Sequence, residues 1–406
     1  MARQRLRREG STGIPVPRGC CSTVRGARKN PGTKPDLSMF LQEPTPFKAG
    51  EFQTTGWSDF MRVAIYGGSL DVSENGSTWL NDIAAMGVFR PFSPSEIEAI
   101  GGPNTFVPSV WASGASSGSV LAIPWMIDLS LVYYRRDLLA KAGVQEKNAF
   151  QTPERFEQTL QQLQDAGIAA PWVVATNRTY INIHNLAMWV WQAGEDFVDK
   201  EGKTVLFDRP GVRSAILSYF RLHRFIPKEM YHLADHNADK MFNDGKVAVT
   251  IGGPWDIIRS VCSPKVTSNL GLAIPLGRSY IGGSSLVVWN RAEQADAALK
   301  LIAHFTSREI QNAFPKKIGL LPGCWDSLDS FPLPDPSIYP VIHKAIKMGR
   351  SLPNLGLWGL IEDRLVNVIP AIWDGIFASQ QPDLEALYDK YITPLTDRLN
   401  IILSQS

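Results

Sequence analysis

Residues 120–144 read VLAIPWMIDLSLVYYRRDLLAKAGV, and this run limits the possible fold more than any other stretch of the chain. An apolar strand reaches a Pro-Trp pair, passes one isolated carboxylate at Asp128, and resumes as a second strand over 131–134. A short helix then opens at Arg136-Asp137-Leu138-Leu139. Gly143 stops it, being the residue type that accepts the left-handed conformation after a helix end. Strand, polar and aromatic break, strand, helix is what a chain does when it crosses from one α/β lobe to another. The break is expected at the mouth of the cleft between lobes, where small ligands are usually held.

The rest of the body alternates strands and helices, which predicts an α/β fold with central, mainly parallel sheets flanked by helices. Thr152 can cap a helix that has Pro153 at its first position, with Phe156, Leu160 and Leu163 on the apolar face and Gly167 at its end. Further helices are predicted over 211–225 and 295–305, the second followed by Ser307 as the cap of another turn. Strands are predicted over 172–175, 247–251, 270–274 and 286–289. The Pro-rich stretch 332–336 reads as a surface loop leading into C-terminal helices.

A length of 406 residues suits two or more domains, or one two-lobed unit. With 44% hydrophobic and 20% charged residues the chain can bury a sizeable core. No apolar run approaches the roughly 18 to 20 residues of a membrane-spanning helix. The net charge of +2 hides an asymmetry. Residues 1–35 carry nine Lys or Arg against one acid, Glu9, so this head is +8 and the remainder −6. Residues 1–36 are therefore expected to form a basic, disordered head. A nucleic-acid partner is not expected, because no aromatics interleave with the charges. Cys20, Cys21, Cys262 and Cys324 match no metal spacing, and Cys262 with Cys324 reads as two thiols or as a disulfide.

Four blocks, taken together, resemble the family 1 extracellular solute-binding proteins of ABC transporters, the group that includes maltodextrin-binding protein. The run 120–144 is similar to their first inter-lobe crossover. KVAVTIGGPW at 246–255 follows a helix ending FNDG. YIGGSSLVVW at 280–289 precedes the Ala-rich ADAALKLIAHFTS, and IGLLPG occupies 318–323. The resemblance runs from about residue 57 to the C-terminus. It implies a two-lobed periplasmic-binding-protein-like fold of type II, with three hinge crossings near Asp128, Tyr280 and Pro322. Lobe one would hold 37–128 plus 280–322, and lobe two 129–279 plus 323–406. Such hinges let lobes close around a ligand. The family pattern is not matched at the N-terminus. No hydrophobic leader precedes Gly19-Cys20, residues 37–42 offer one weak strand, and the first βαβ unit of lobe one is expected to be truncated or replaced.

The chain has twelve tryptophans, and Trp79, Trp125, Trp191, Trp255 and Trp358 each sit beside small or turn residues: GSTW, IPW, WQAG, GGPW and LGLW. Indole rings at strand ends suit a sugar, whose pyranose ring presents a flat C–H face. The resemblance implies stacking roles for Trp255 and Trp358 in particular. The competing reading for each is core packing, since Trp anchors cores readily. Hydroxyl partners are expected from Asp128, which interrupts apolar strands, and from Glu74 and Asn75 before the GSTW loop. Gly253 and Gly283, in the pairs Gly252-Gly253 and Gly282-Gly283, would let backbone approach a ligand closely.

No G-x-S-x-G elbow, phosphate-binding loop or H-E-x-x-H is present. His232, His236 and Asp239 could meet on a helix turn, but no metal or other cofactor is expected. A glycosidase would need two carboxylates, with Asp128 and Glu74 the candidate pair. The expected function is a monomeric, non-enzymatic carbohydrate receptor outside the cytoplasm that delivers its ligand to ABC permease subunits. Its membrane contact would run only through that permease. The alternatives are a sugar-active enzyme using the same cleft, or a defunct or mis-started copy of the receptor.

Overall fold

The computed structural model describes residues 70–405 other than 117, 256–261, 332 and 334, together with Thr23–Val24 and Ile65. Among the described residues the strands are β1 (Thr23–Val24), β2 (Val72–Gly76), β3 (Ala115–Ser116), β4 (Ser119–Val120), β5 (Ile123–Leu129), β6 (Leu131–Arg135), β7 (Trp172–Val173), β8 (Val249–Gly252), β9 (Leu270–Ala273), β10 (Ile281–Val288) and β11 (Leu321–Pro322). They build a first sheet ordered β1-β2-β10-β5-β11, a second ordered β7-β8-β6-β9, and the small β3-β4 hairpin. The α/β class stands. The expected parallel arrangement does not hold among these residues, where β7 with β8 is the parallel strand pair, Tyr280 with Arg350 is an isolated parallel bridge, and the other strand pairs are antiparallel. The cause is strand insertion. β10 returns from the second sheet and wedges between β2 and β5, running against both, and β6 does the same between β8 and β9.

The predicted break at Pro124-Trp125 lies instead inside β5. Proline is tolerated there because the β5–β10 register slips between Ser284 and Ser285, leaving Trp125 as a bulged residue. The Trp125 carbonyl is satisfied outside the ladder, accepting from Gln311 Nε2 at 3.0 Å and from the Gly323 N–H at 3.1 Å. The chain leaves the first sheet at Ser130 and returns between β9 and β10. The two crossings lie side by side, the Ser130 N–H donating to the Tyr280 carbonyl at 3.0 Å. Near Pro322, where a third crossing was expected, the chain is still paired with β5. The segment beside Tyr280 is that of Arg350, whose N–H donates to Ser279 and whose carbonyl accepts from Ile281, each at 2.9 Å.

Helix α1 (Leu80–Ala84) follows β2, and α2 (Arg136–Lys141) follows β6. Helix α3 (Pro153–Asp165) begins as predicted, the Thr152 side chain accepting from the Arg155 N–H. Helices α4 (Ile181–Gln192), α5 (Pro210–Phe220) and α6 (Asp235–Asn243) follow. Helix α7 (Ala295–Phe305) has the predicted bounds, and Ser307 caps α8 (Arg308–Ile318). Helices α9 (Tyr339–Met348) and α10 (Trp358–Phe377) follow. The main core joins the second sheet to α3, α4, α5 and α10 through Val132, Trp172, Phe156, Trp189, Tyr219, Trp358 and Trp373. A second core wraps the crossing, where Ile342 and Ile346 of α9 cover Ile127, Leu129, Leu131 and Ile281. Thr23–Val24, within the head expected to be disordered, pairs with Val72 and Ser73 and so satisfies edge groups of β2. The other residues of that head and the weak strand at 37–42 lie outside the described residues.

Candidate functional site

Strand β2 ends at Gly76, and the turn Ser77-Thr78-Trp79 carries the chain into α1. The Ser77 N–H donates to the Gly283 carbonyl at 2.9 Å, fixing this turn to the inserted strand β10. From it Trp79 reaches α10, its indole Nε1 donating to Glu362 Oε2 at 2.9 Å. One turn later Asp82 Oδ2 accepts from the Gly359 N–H at 2.7 Å. A carboxylate at the first turn of a 20-residue helix meets both an otherwise unsatisfied N–H and the positive end of the helix dipole. The chain enters α10 through Leu357 at φ 69°, a left-handed residue that directs the helix start at α1. Asn81 also bonds Asn354. Elements around the first sheet and helices packed on the second therefore meet directly.

Aromatic rings line the same place. Trp79 stands edge-on to Tyr180, the residue before α4, with centroids 5.6 Å apart. His184 of α4 stacks on Tyr280 at 3.8 Å and 13°. Burial lowers the His184 imidazole to about 3, so it is neutral in this stack. Burial also drives the Tyr280 phenol well up, and the charges of Asp128 and Glu362 push the same way. Glu362 is 1% exposed. Burial raises its carboxyl to about 8, against hydrogen bonding from Trp79 and Thr78. Asp128 is half-buried, and burial raises it to about 6. The centre sets aromatic rings beside two carboxyl groups, Glu362 and Asp128, whose protons burial makes harder to lose.

The ten residues expected to form a site divide. Asp128 and Trp79 belong to this centre. Gly283 supports it, with φ at 138° and no room for a β-carbon, which would collide with the Met126 carbonyl. Glu74 and Asn75, expected in a loop after Val72, lie within β2, both buried, Asn75 accepting from Ser73 Oγ at 2.9 Å. Trp255 is half-buried at the end of β8 and donates to Asp239 Oδ2 at 2.8 Å. Gly253 does not open space for a ligand, because the Trp255 ring already lies over it. Gly282 seats the Tyr280 ring in the same way. Three tryptophans are core residues in this structure. Trp358 is fully buried against Phe197, and Trp125 is sandwiched between Phe305 and Phe314 at 5.3 and 5.4 Å. Trp191 is buried beneath the Arg350 guanidinium, 5.0 Å from its ring centroid.

The candidate metal ligands are turned to other partners. His232 faces Asp374 at 3.1 Å, His236 faces Asp235 at 3.3 Å, and Asp239 holds Trp255. Cys262 and Cys324 are both free thiols.

A family model described as bacterial extracellular solute-binding protein matches residues 48–337. The chain belongs to that family. Among curated proteins, the diacetylchitobiose binding protein DasA of Streptomyces coelicolor is 24% identical over 310 residues, 72% of this chain. The matched stretch spans 64% of that relative's length. Among solved structures, maltose-bound T. maritima MalE3 has a TM-score of 0.70 at 19% identity, covering 85% of this chain and 88% of its own. The GacH receptor of Streptomyces glaucescens gives 0.68 at 22% identity, covering 86% and 88%. Both show the fold of this solute-binding protein. Among the described residues no helix is long and apolar enough to cross a membrane.

Sequence reasoning passed over Asp82, Tyr180, His184 and Glu362 as site residues, and took Tyr280 only as a crossing mark. Glu362 left a usable signal. It lies on the buried stripe of α10 with Trp358, Ile361, Leu365 and Val366, where a charged residue must find a partner. Asp82 and Tyr180 left none, because their partners are 277 positions and about a hundred positions away in the chain.

Proposed function

We propose that this solute-binding protein is a carbohydrate receptor that holds a sugar or oligosaccharide between two lobes and passes it to an ABC permease. The observation that carries this reading is the meeting of Trp79 and Asp82 with Glu362 and Gly359, around the Tyr280–His184 stack and Asp128. Aromatic faces suit pyranose rings, and carboxyl groups that both accept and, when protonated, donate suit hydroxyls. The diacetylchitobiose-binding relative and the maltose-bound neighbour support the same ligand class. Lobe one would hold 37–128 plus 280–322, and lobe two 129–279 plus 323–406. The backbone of Arg350, lying against Tyr280, supports a further segment beside the crossing. The receptor works as a monomer outside the cytoplasm and meets permease subunits at the membrane.

The protein binds its sugar without cleaving it. Asp128 pairs across β10 with Gly282, and Glu74 with Leu286 on the opposite side. That register puts their backbones roughly 16 Å apart, from a rise of about 3.3 Å per residue and a strand spacing of about 4.8 Å. Glycosidase carboxylates stand about 5 to 10 Å apart. A thermal-shift screen against mono- and oligosaccharides tests the reading, since a ligand bound only by the folded state raises the midpoint. Chromatography of the same mixtures should recover the sugar intact. Small-angle scattering with a hit should show a smaller radius of gyration. No shift with any sugar, or hydrolysis of one, would overturn the proposal.

A further inference from the structure

We propose that the site prefers a sugar carrying a protonated amine over its neutral or acidic counterparts, the ammonium seated against the open oxygen of the Glu362 carboxyl. The inference rests on the carbohydrate-receptor reading and names a substrate class within it.

Glu362 supplies the first ground. Its Oε2 takes the Trp79 indole hydrogen bond at 2.9 Å and the Thr78 hydroxyl also reaches the carboxyl, but no donor stands within hydrogen-bond distance of Oε1, on a side chain 1% exposed. A buried carboxyl oxygen left without a donor is costly and rare in folded proteins. The carboxyl bridges α10 and the turn before α1, so the open oxygen lies where elements of the two sheets meet. Asp128 supplies the second ground. It reaches the same centre from β5, paired with Gly282 two positions beyond Tyr280, and its side chain is met by the backbone N–H of Leu129. Tyr280 lies in the field of both carboxyls.

The surrounding charges point one way. From α1 comes Asp82, bonded to Gly359, and from α10 comes Asp363. From the α4 side come Tyr180 and a neutral His184. The cations nearby are engaged elsewhere. Arg178 holds Asp363 at 4.0 Å and Asn367 at 2.9 Å, and Arg350 holds Asp196 while lying over Trp191. Among the described residues, then, no cation faces Glu362 or Asp128. An ammonium brings three donors, no acceptor and the missing charge. A uronate or phosphorylated sugar would bring a second negative charge into a buried site. Because burial holds the Glu362 proton near neutral pH, seating an ammonium should expel it.

Isothermal titration of the full chain with four β-1,4 disaccharides tests this: chitobiose with free amines, N,N′-diacetylchitobiose, cellobiose and cellobiouronic acid. At a pH where the amines are protonated, chitobiose should bind about tenfold tighter than the two neutral sugars, and the uronate weakest. Its binding enthalpy should vary with the ionisation heat of the buffer, reporting proton release. Glu362→Gln and Asp128→Asn, each verified as folded by its melting temperature, should reduce the chitobiose preference. Equal or weaker binding of chitobiose would overturn the inference while leaving the carbohydrate reading intact. Failure of all four sugars, together with an empty thermal-shift screen, would overturn both.

Discussion

Trp79 Nε1 donates to Glu362 Oε2 at 2.9 Å across 283 positions of sequence, joining the turn after β2 to the first turns of α10. This bond links the two halves of the candidate site. The turn itself is anchored by Ser77 on Gly283, and the helix start by Asp82 on Gly359.

Trp79→Phe keeps a ring beside Tyr180 but removes the indole donor from Glu362. Sugar affinity should fall by about 1 to 3 kcal/mol, the range of an aromatic hot spot, with a small change in melting temperature. Titration calorimetry and scanning calorimetry on one preparation separate the two effects. Unaltered affinity would remove Trp79 from the site.

Trp358→Ala and Trp125→Ala should behave in the opposite way. Both rings are buried among aromatic neighbours, so each truncation should cost about 3 to 5 kcal/mol of folding stability. Urea denaturation measures the loss. A variant of either that melts normally but binds weakly would restore the stacking role expected from its sequence.

Gly283→Ala places a β-carbon against the Met126 carbonyl at a backbone angle of φ 138°. Strain of that kind costs about 1 to 3 kcal/mol before the clash is counted. Because Gly283 also holds Ser77, sugar binding should weaken along with stability. Alanine at Gly118, where a β-carbon meets nothing, should leave binding unchanged and serves as the control.

The pH profile of stability should carry the mark of Glu362. Its folded value of about 8 lies above its ordinary 4.5, so between those values the folded protein keeps a proton the unfolded chain has lost. Stability therefore declines as pH rises through that window. Asp128, raised from 3.8 to about 6, adds the same slope over its lower range. His184, lowered from 6.5 to about 3, opposes them, because the unfolded chain takes up its proton as pH falls below 6.5. From about pH 7 to 8 Glu362 carries most of the slope, because folded Asp128 and unfolded His184 are by then largely deprotonated. The wild-type melting temperature should fall over that interval, and Glu362→Gln should flatten it. A flat wild-type profile would mean that Glu362 is ionised in the folded state.

Helix starts and stops, and the family, were legible in the sequence. Thr152 with Pro153, Ser307, Gly143 and the apolar spacing of residues 295–305 act within a few residues of the chain, so their patterns translate directly into helix starts and stops. The crossing at Asp128 was legible for the same reason, as one carboxylate between two apolar strands. Strand direction was not, because it depends on β10 and β6 inserting between strands of the opposite sheet. Nor could the sequence separate Trp79 from Trp358. Both stand beside small or turn residues, but the first projects between the two halves while the second fills the core beneath α10. Only tertiary packing decides which side of a backbone turn meets solvent, ligand or another helix. The same physics hid the site's polar half: a carboxylate on α10 gains its partner from a turn 283 positions away, and no local pattern encodes that distance.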